Sequence, residues 1–199
     1  MAVMAKTDAQ SLLTIVQVAS NTATMSSDLD VSTKMAATLF MSLGRDDTGG
    51  VLANAFSFRV QGTPDATGTR RWQDLAVFQS QVTVPEPEAI TGTQASGNQT
   101  LTLASTTNLA SGQLILLKNT TIANSEFARI KTLVASTSIT LMDAITNAQT
   151  SSTLYNQAEQ FNLFLDCTAI KRLRVVCDNS SGGRSVVCEI FAVTGDSFA

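Results

Sequence analysis

Histidine is absent from the 199 residues, and with it the commonest member of catalytic triads and zinc sites. Cysteine occurs three times, at Cys167, Cys177 and Cys188, with no CxxC spacing. An odd number in that arrangement offers neither a disulfide framework nor a zinc site. Each falls in or beside an expected strand and reads as a small buried hydrophobe of a chain folding in a reducing cytoplasm. Charged residues make up only 15%, and 13 basic against 16 acidic side chains leave a net charge of -3. That balance lacks the basic excess of a nucleic-acid binder. No run approaches the ~20 apolar residues of a membrane span, and Asp8 and Gln10 interrupt any leader-like core near Leu12 to Val16. No phosphate loop, GxGxxG or serine-nucleophile motif follows a strand. The expectation is a soluble, non-enzymatic protein without cofactor or metal, membrane or nucleic acid.

What is present is apolar alternation. Apolar residues reach 44%, enough to bury a core. In Ala55 to Gln61, Phe56, Phe58 and Val60 point one way and Ser57, Arg59 and Gln61 the other, the pattern of a sheet with one wet face. Lys34 to Gly44 places Met35, Ala37, Leu39, Met41 and Leu43 on one face. Its second face, with Ala36 and Phe40, is only partly polar, which predicts a central or doubly covered strand. Further strands are expected at Thr14 to Val18, Trp72 to Phe78, Gln81 to Val84, Gln160 to Asp166, Arg172 to Cys177 and Val186 to Val193. Asp178 to Gly183 reads as a hairpin loop joining the last two. Helical periodicity is nearly missing; Met142 to Gln149 is the one place for a turn or two, with another begun at Asp8.

Two of the three prolines, Pro85 and Pro87, interrupt the series. Beyond them lie short alternations closed by polar breaks: Thr100 to Leu103, Gln113 to Leu117, Phe127 to Ile130 and Ser138 to Leu141. Thr153 to Tyr155 then leads back to longer strands. The reading is all-β: an antiparallel, jelly-roll-like β-sandwich of residues 21–90 and 157–199 that hosts a small β-barrel-like module at 91–156. Residues 1–20 supply an N-terminal arm and the first strand.

Few side chains invite chemistry. Asp46-Asp47-Thr48-Gly49-Gly50 has carboxylates in a glycine-bearing loop, yet lacks the fuller spacing of a calcium loop and reads as an acidic turn. Asp28 and Asp30 share one side of a strand and read as solvated rather than as an acid/base pair. Glu126 and Arg129 bracket a strand start and could pair. Arg70, Arg71 and Trp72 suit stacking on a ring or base, or a contact with a neighbouring subunit; the simplest alternative is a core tryptophan between exposed arginines. Lys171, Arg172 and Arg174 form a small basic patch, a solvated strand face or a salt-bridging surface between subunits. These six are the candidate interface residues.

The module carries Ala104 to Lys118 with its Gly112 turn, the strand Ser125-Glu126-Phe127-Ala128-Arg129-Ile130, and Ser138-Ile139-Thr140-Leu141. In that order they resemble a small β module recurrent in structural proteins of tailed bacteriophages. The flanks, Asp30 to Leu39, Arg71 to Leu75 and Leu163 to Val176, are similar to the host part of the same virion proteins. The resemblance covers about Asp28 to Asp196 and brings no catalytic residue with it. It implies a virion component assembled in the host cytoplasm, a capsid decoration (cement) or minor capsid protein. Its partners would be the major capsid protein or other virion proteins and further copies of itself. A neck, collar or tail station is the alternative, and a glycan- or receptor-binding module using Trp72 and the loop near Asp46 a third.

Overall fold

The computed structural model describes residues 7–46, 56–69, 71–80, 85–180 and 184–196. The expected strand at 81–84, the turn at 47–50 and Arg70 lie outside these residues. The strands are β1 (Gln10–Val18), β2 (Thr22–Met25), β3 (Leu29–Asp30), β4 (Lys34–Arg45), β5 (Ser57–Thr63), β6 (Gln73–Gln79), β7 (Pro87–Ala89) and β8 (Thr100–Thr102). They continue as β9 (Leu114–Lys118), β10 (Glu126–Val134), β11 (Ser138–Leu141), β12 (Thr153–Tyr155), β13 (Ala158–Asp166), β14 (Arg172–Asn179) and β15 (Val186–Asp196). Among the described residues the only helical element is a 3-10 turn at Ile122–Asn124; Met142 to Gln149 and the stretch after Asp8 form none. At Thr7 the chain already lies against Thr194 of β15 through a backbone hydrogen bond of 2.9 Å, and the expected first strand follows as β1.

One sheet runs β1-β15-β4-β13, a second β2-β14-β5-β6 with β3 also on β14, and every pairing is antiparallel. β2 and β3 form one interrupted strand along β14. At the break, the Ser26 hydroxyl accepts the Val175 N–H at 2.9 Å while the Ser26 N–H reaches the Val175 carbonyl. With these two counted as one, the first sheet holds host strands one, eight, three and six, and the second holds two, seven, four and five. This is the order of a jelly roll, two Greek keys wrapped face to face. Alternation supplies the core: Leu39, Met41, Leu43, Ile190 and Cys188 from one sheet meet Phe58, Val60, Leu173, Val175 and Cys177 from the other. Edge-to-face phenyl pairs, Phe56 on Phe58 at 5.0 Å and Phe58 on Phe161 at 5.9 Å, carry this core to the β13 edge.

The loop after Asn179 departs from the expected hairpin. β14 pairs with β2, β3 and β5, whereas β15 pairs with β1 and β4, so the connection crosses from one sheet to the other. Buried Asn179 holds that corner, its amide donating to the carbonyls of Val18, Ala19 and Arg184. Turn composition marks where a chain reverses, but not which sheet it joins next. All three cysteines are free and buried in this core. Burial and then the Asp166 charge push the Cys167 thiol up to about 11, and a hydrogen bond to Cys188 together with burial raises Cys177.

The third sheet, β7-β12-β9-β10-β11-β8, is drawn wholly from residues 87–155. Its two edges meet: Ile90 bridges Leu103, the Thr91 N–H reaches the Thr102 carbonyl at 2.9 Å, and the Ala104 N–H reaches the Ala89 carbonyl at 3.0 Å. The sheet therefore curls into a small closed barrel, which leaves few free strand edges. Its interior is a second apolar cluster that includes Leu101, Ile115, Leu117, Ile130, Ile139, Leu141 and Leu154. Pro87 opens an edge strand, where its missing N–H costs no ladder bond. Thr153 to Tyr155 is a barrel strand between β7 and β9, not a return to the sandwich. Glu126 and Arg129 do not pair, because three positions along a strand place them on opposite faces. Instead Glu126 takes N–H donors from Thr146 and Gln149, and Arg129 donates to the carbonyl of Gly112.

The barrel seats on the outer face of the first sheet. Leu116 points away from the barrel interior and is fully buried. It lies so close over Gly44 of β4 that a Cβ there would stand 2.8 Å from the Leu116 Cβ and 3.0 Å from the Phe127 ring. Beside it, Lys118 reaches the buried Asp46 carboxylate at 2.7 Å, which Gln17 and Ser185 also engage. The ends of the barrel segment come together, with the Glu86 N–H 2.9 Å from the Asn156 side-chain oxygen.

Two outcomes follow from this seating. Gly44→Val should lower stability by ~1–3 kcal/mol, since overpacking at a tight contact must displace Leu116; an unchanged urea midpoint would show that the barrel is not pressed onto β4. Replacing residues 87–155 by a short Gly/Ser linker should leave a sandwich that melts cooperatively, because its core is separate and its cut ends adjoin. Loss of a cooperative transition would mean that the two cores fold only together.

Candidate interaction surface

The outer face of the second sheet carries a connected set of charged and polar side chains. Its strands present Arg59 and Gln61 from β5, Asp74 from β6, and Arg172, Arg174 and Asp178 from β14. They form a lateral chain. Arg174 donates to the Gln61 side-chain oxygen at 2.8 Å, the Gln61 amide donates to Asp74 at 2.8 Å, and Arg59 donates to the same carboxylate at 2.9 Å. Arg59 also approaches Asp178 at 3.6 Å. The Gln61 and Arg59 donors hold the Asp74 carboxyl below its ordinary value, and Asp74 in turn raises Arg59. Two N–H and O–H donors of Ser32 and Ser180 lower Asp30 and Asp178 in the same way, with Arg172 and Arg59 as the nearby cations.

One loop extends this face. After β5, Asp65 accepts from the Thr67 N–H at 3.0 Å and from the hydroxyls of Thr67 and Thr69. Gly68 adopts φ +69°, a left-handed turn that a side chain would strain, and its carbonyl accepts the Trp72 indole N–H at 2.8 Å. That folds the indole back onto Arg174, whose guanidinium lies 4.1 Å from the ring centroid. Arg172 donates to the Ala66 carbonyl at 2.8 Å and reaches Asp30 at 3.5 Å, so both β14 arginines hold the loop. Thr63, Pro64, Asp65, Thr67, Thr69 and Arg71 line a shallow concavity of about 520 Å³ beside it.

Of the six candidate residues, the fold brings five to this corner although a hundred positions separate the two groups in sequence. Arg71 and Lys171 are exposed, and among the described residues neither side chain has a hydrogen bond or salt bridge. Arg172 and Arg174 are engaged within the chain. Trp72 stands outside the sandwich core, half-buried on the loop before β6, so the core reading of this tryptophan is incorrect. Sequence could not show this, since a tryptophan at a strand start is as apolar beside a guanidinium as beneath a sheet. Asp28 and Asp30 flank the buried Leu29, with Asp28 near Gly68 and Asp30 on Arg172, and do not form an acid/base pair. Asp46, read as part of an acidic turn, is buried and compensated by Lys118. Among the described residues, no group of three or more His, Cys, Asp or Glu side chains could hold a metal ion.

The arrangement can do two things chemically. It offers two exposed cations, Arg71 and Lys171, at one corner of the sheet, and it presents a tryptophan with one face already occupied. No family model matches the sequence, and no curated protein matches it either.

Trp72→Ala should leave the chain folded and cost ~1–2 kcal/mol, from the lost indole hydrogen bond and its stacking on Arg174. Thermal unfolding followed by circular dichroism measures this, and an unfolded variant would return Trp72 to the core.

Proposed function

We propose that the chain is a non-enzymatic structural component of a tailed-bacteriophage particle, a decoration (cement) or minor capsid protein that reinforces the head lattice as a homo-oligomer. The observation that carries the reading is the jelly-roll strand order with a closed barrel seated on its outer face. Jelly rolls recur in viral capsid domains, and the support this lends is by analogy of fold. The sequence resemblance of module and flanks to phage virion proteins supports it independently.

The surface suits the role in physical terms. A standard protein contact removes ~1,600 Å² from water, and many copies of a modest contact add up to large reinforcement. The isolated chain leaves Phe164 67% exposed, Met25 57% and Val77 52%, apolar area available for burial against neighbours. Low charge density limits repulsion between closely packed copies. The exposed cations Arg71 and Lys171 would orient such contacts toward acidic groups of a capsid subunit.

Mass spectrometry and density of purified particles test the reading. The expected result is this chain on the head at hundreds of copies. A dozen copies or fewer at the portal end would move it to the neck or tail, and its absence from particles would overturn the virion role.

A further inference from the structure

The barrel and the first sheet of the sandwich enclose a cleft of about 310 Å³ next to the Gly44 seat. Two glutamates line it from opposite sides: Glu189 on β15 and Glu126 on β10. Glu126 is anchored, accepting the backbone N–H of Thr146 at 2.8 Å, the Gln149 amide at 2.8 Å and the Asn147 N–H at 3.4 Å. Among the described residues no hydrogen bond or salt bridge reaches the Glu189 carboxylate.

The remaining groups around Glu189 do not compensate it. Opposite it on β4 is Ser42, whose partner on β13 is Gln160. On its other side β1 contributes uncharged Thr14 and Ile15, between the paired positions Leu13 and Val16. From the barrel come Arg129 and Asp143. The Arg129 guanidinium is held by the Gly112 carbonyl at 2.7 Å and by Gln160 at 3.4 Å. Burial, and then the charge of Glu126, push the Glu189 carboxyl up to about 7.

We propose that the seating of the barrel on the sandwich is a proton-controlled latch. With Glu189 protonated, the cleft holds the Glu126 and Asp143 carboxylates beside Arg129 and the barrel stays on Gly44. When Glu189 gives its proton to solvent, a third carboxylate charge joins Glu126 and Asp143 in the cleft, and their repulsion loosens the barrel. The direction follows from linkage. Seating favours the protonated acid, so its contribution is complete below the free-glutamate value of 4.5, is lost as pH rises through about 7, and is absent above it.

Amide hydrogen exchange of the full chain, scaled for intrinsic rates and compared at about pH 5.5 and about pH 8.5, reads the latch. Peptides from β9, β10 and the end of β4 should lose about tenfold or more in protection at the higher pH, the equivalent of one unit of carboxyl shift. The interior strands of both cores should keep theirs. Glu189→Gln should be protected alike at both pH values. An unchanged pH response in Glu189→Gln, or an equal loss in every core strand, would overturn the proposal. Should that variant fail to fold, carbon-13 titration of the Glu189 carboxyl in the unsubstituted chain decides: a midpoint near 7 supports the latch, and one near 4.5 ends it.

Discussion

Strand β4 has no free side along its second half, and the rest of the molecule is arranged to keep it covered. It is hydrogen-bonded to β13 on one edge and β15 on the other. Leu39, Met41 and Leu43 are fully buried in the sandwich core, while Ser42 and Gly44 on the opposite face are buried too. A sheet with one wet face leaves its polar residues in water, whereas on β4 even Ser42 is covered. The missing side chain at Gly44 is what lets Leu116 of the barrel close that second face at van der Waals range. Both the jelly roll and the appended barrel therefore depend on one doubly covered strand.

Charge is sparse, and the structure spends it locally. On the second sheet the Arg174, Gln61, Asp74, Arg59 and Asp178 side chains neutralise one another along the surface. Exposed pairs of this kind add little stability each, but together they set rotamers and keep a flat sheet face polar. Two further acids lie at the join between sandwich and barrel: Asp46 with its lysine, and Glu189 with none. With so few charges, the chain still places the buried Asp46 and the half-buried Glu189 where its two parts meet. That placement is why the join, rather than either core, is the part of the molecule open to control by pH.

Much of the architecture was legible in the residues. Alternation in Ala55 to Gln61, Lys34 to Gly44 and Gln160 to Asp166 located strands within one or two residues of β5, β4 and β13, and even marked β4 as covered on both sides. It works because side chains alternate between faces whatever the partner strand is. The uninterrupted run Leu114 to Leu117 also held its message: Ile115 and Leu117 fill the barrel while Leu116 faces the sandwich. The arginines, lysine and tryptophan of the charged corner stand in the sequence as two short clusters, with nothing there to mark them as neighbours. Glu189 was visible only as the one charge inside an otherwise apolar final strand, a signal that a solvated position would have produced equally well.

By itself the sequence determined an all-β chain with two apolar systems and no chemistry that calls for histidine, because composition and period-two alternation act locally. The tertiary structure decided everything that depends on which strand meets which. It sent the Asn179 corner across to the other sheet, kept Thr153 to Tyr155 in the barrel, and moved Trp72 from a core position to the face of Arg174. It also buried Asp46 and brought Glu189 up to Glu126. These are contacts between residues tens to more than a hundred positions apart. Their energies come from dehydration and proximity in space, and no local pattern along the chain encodes either.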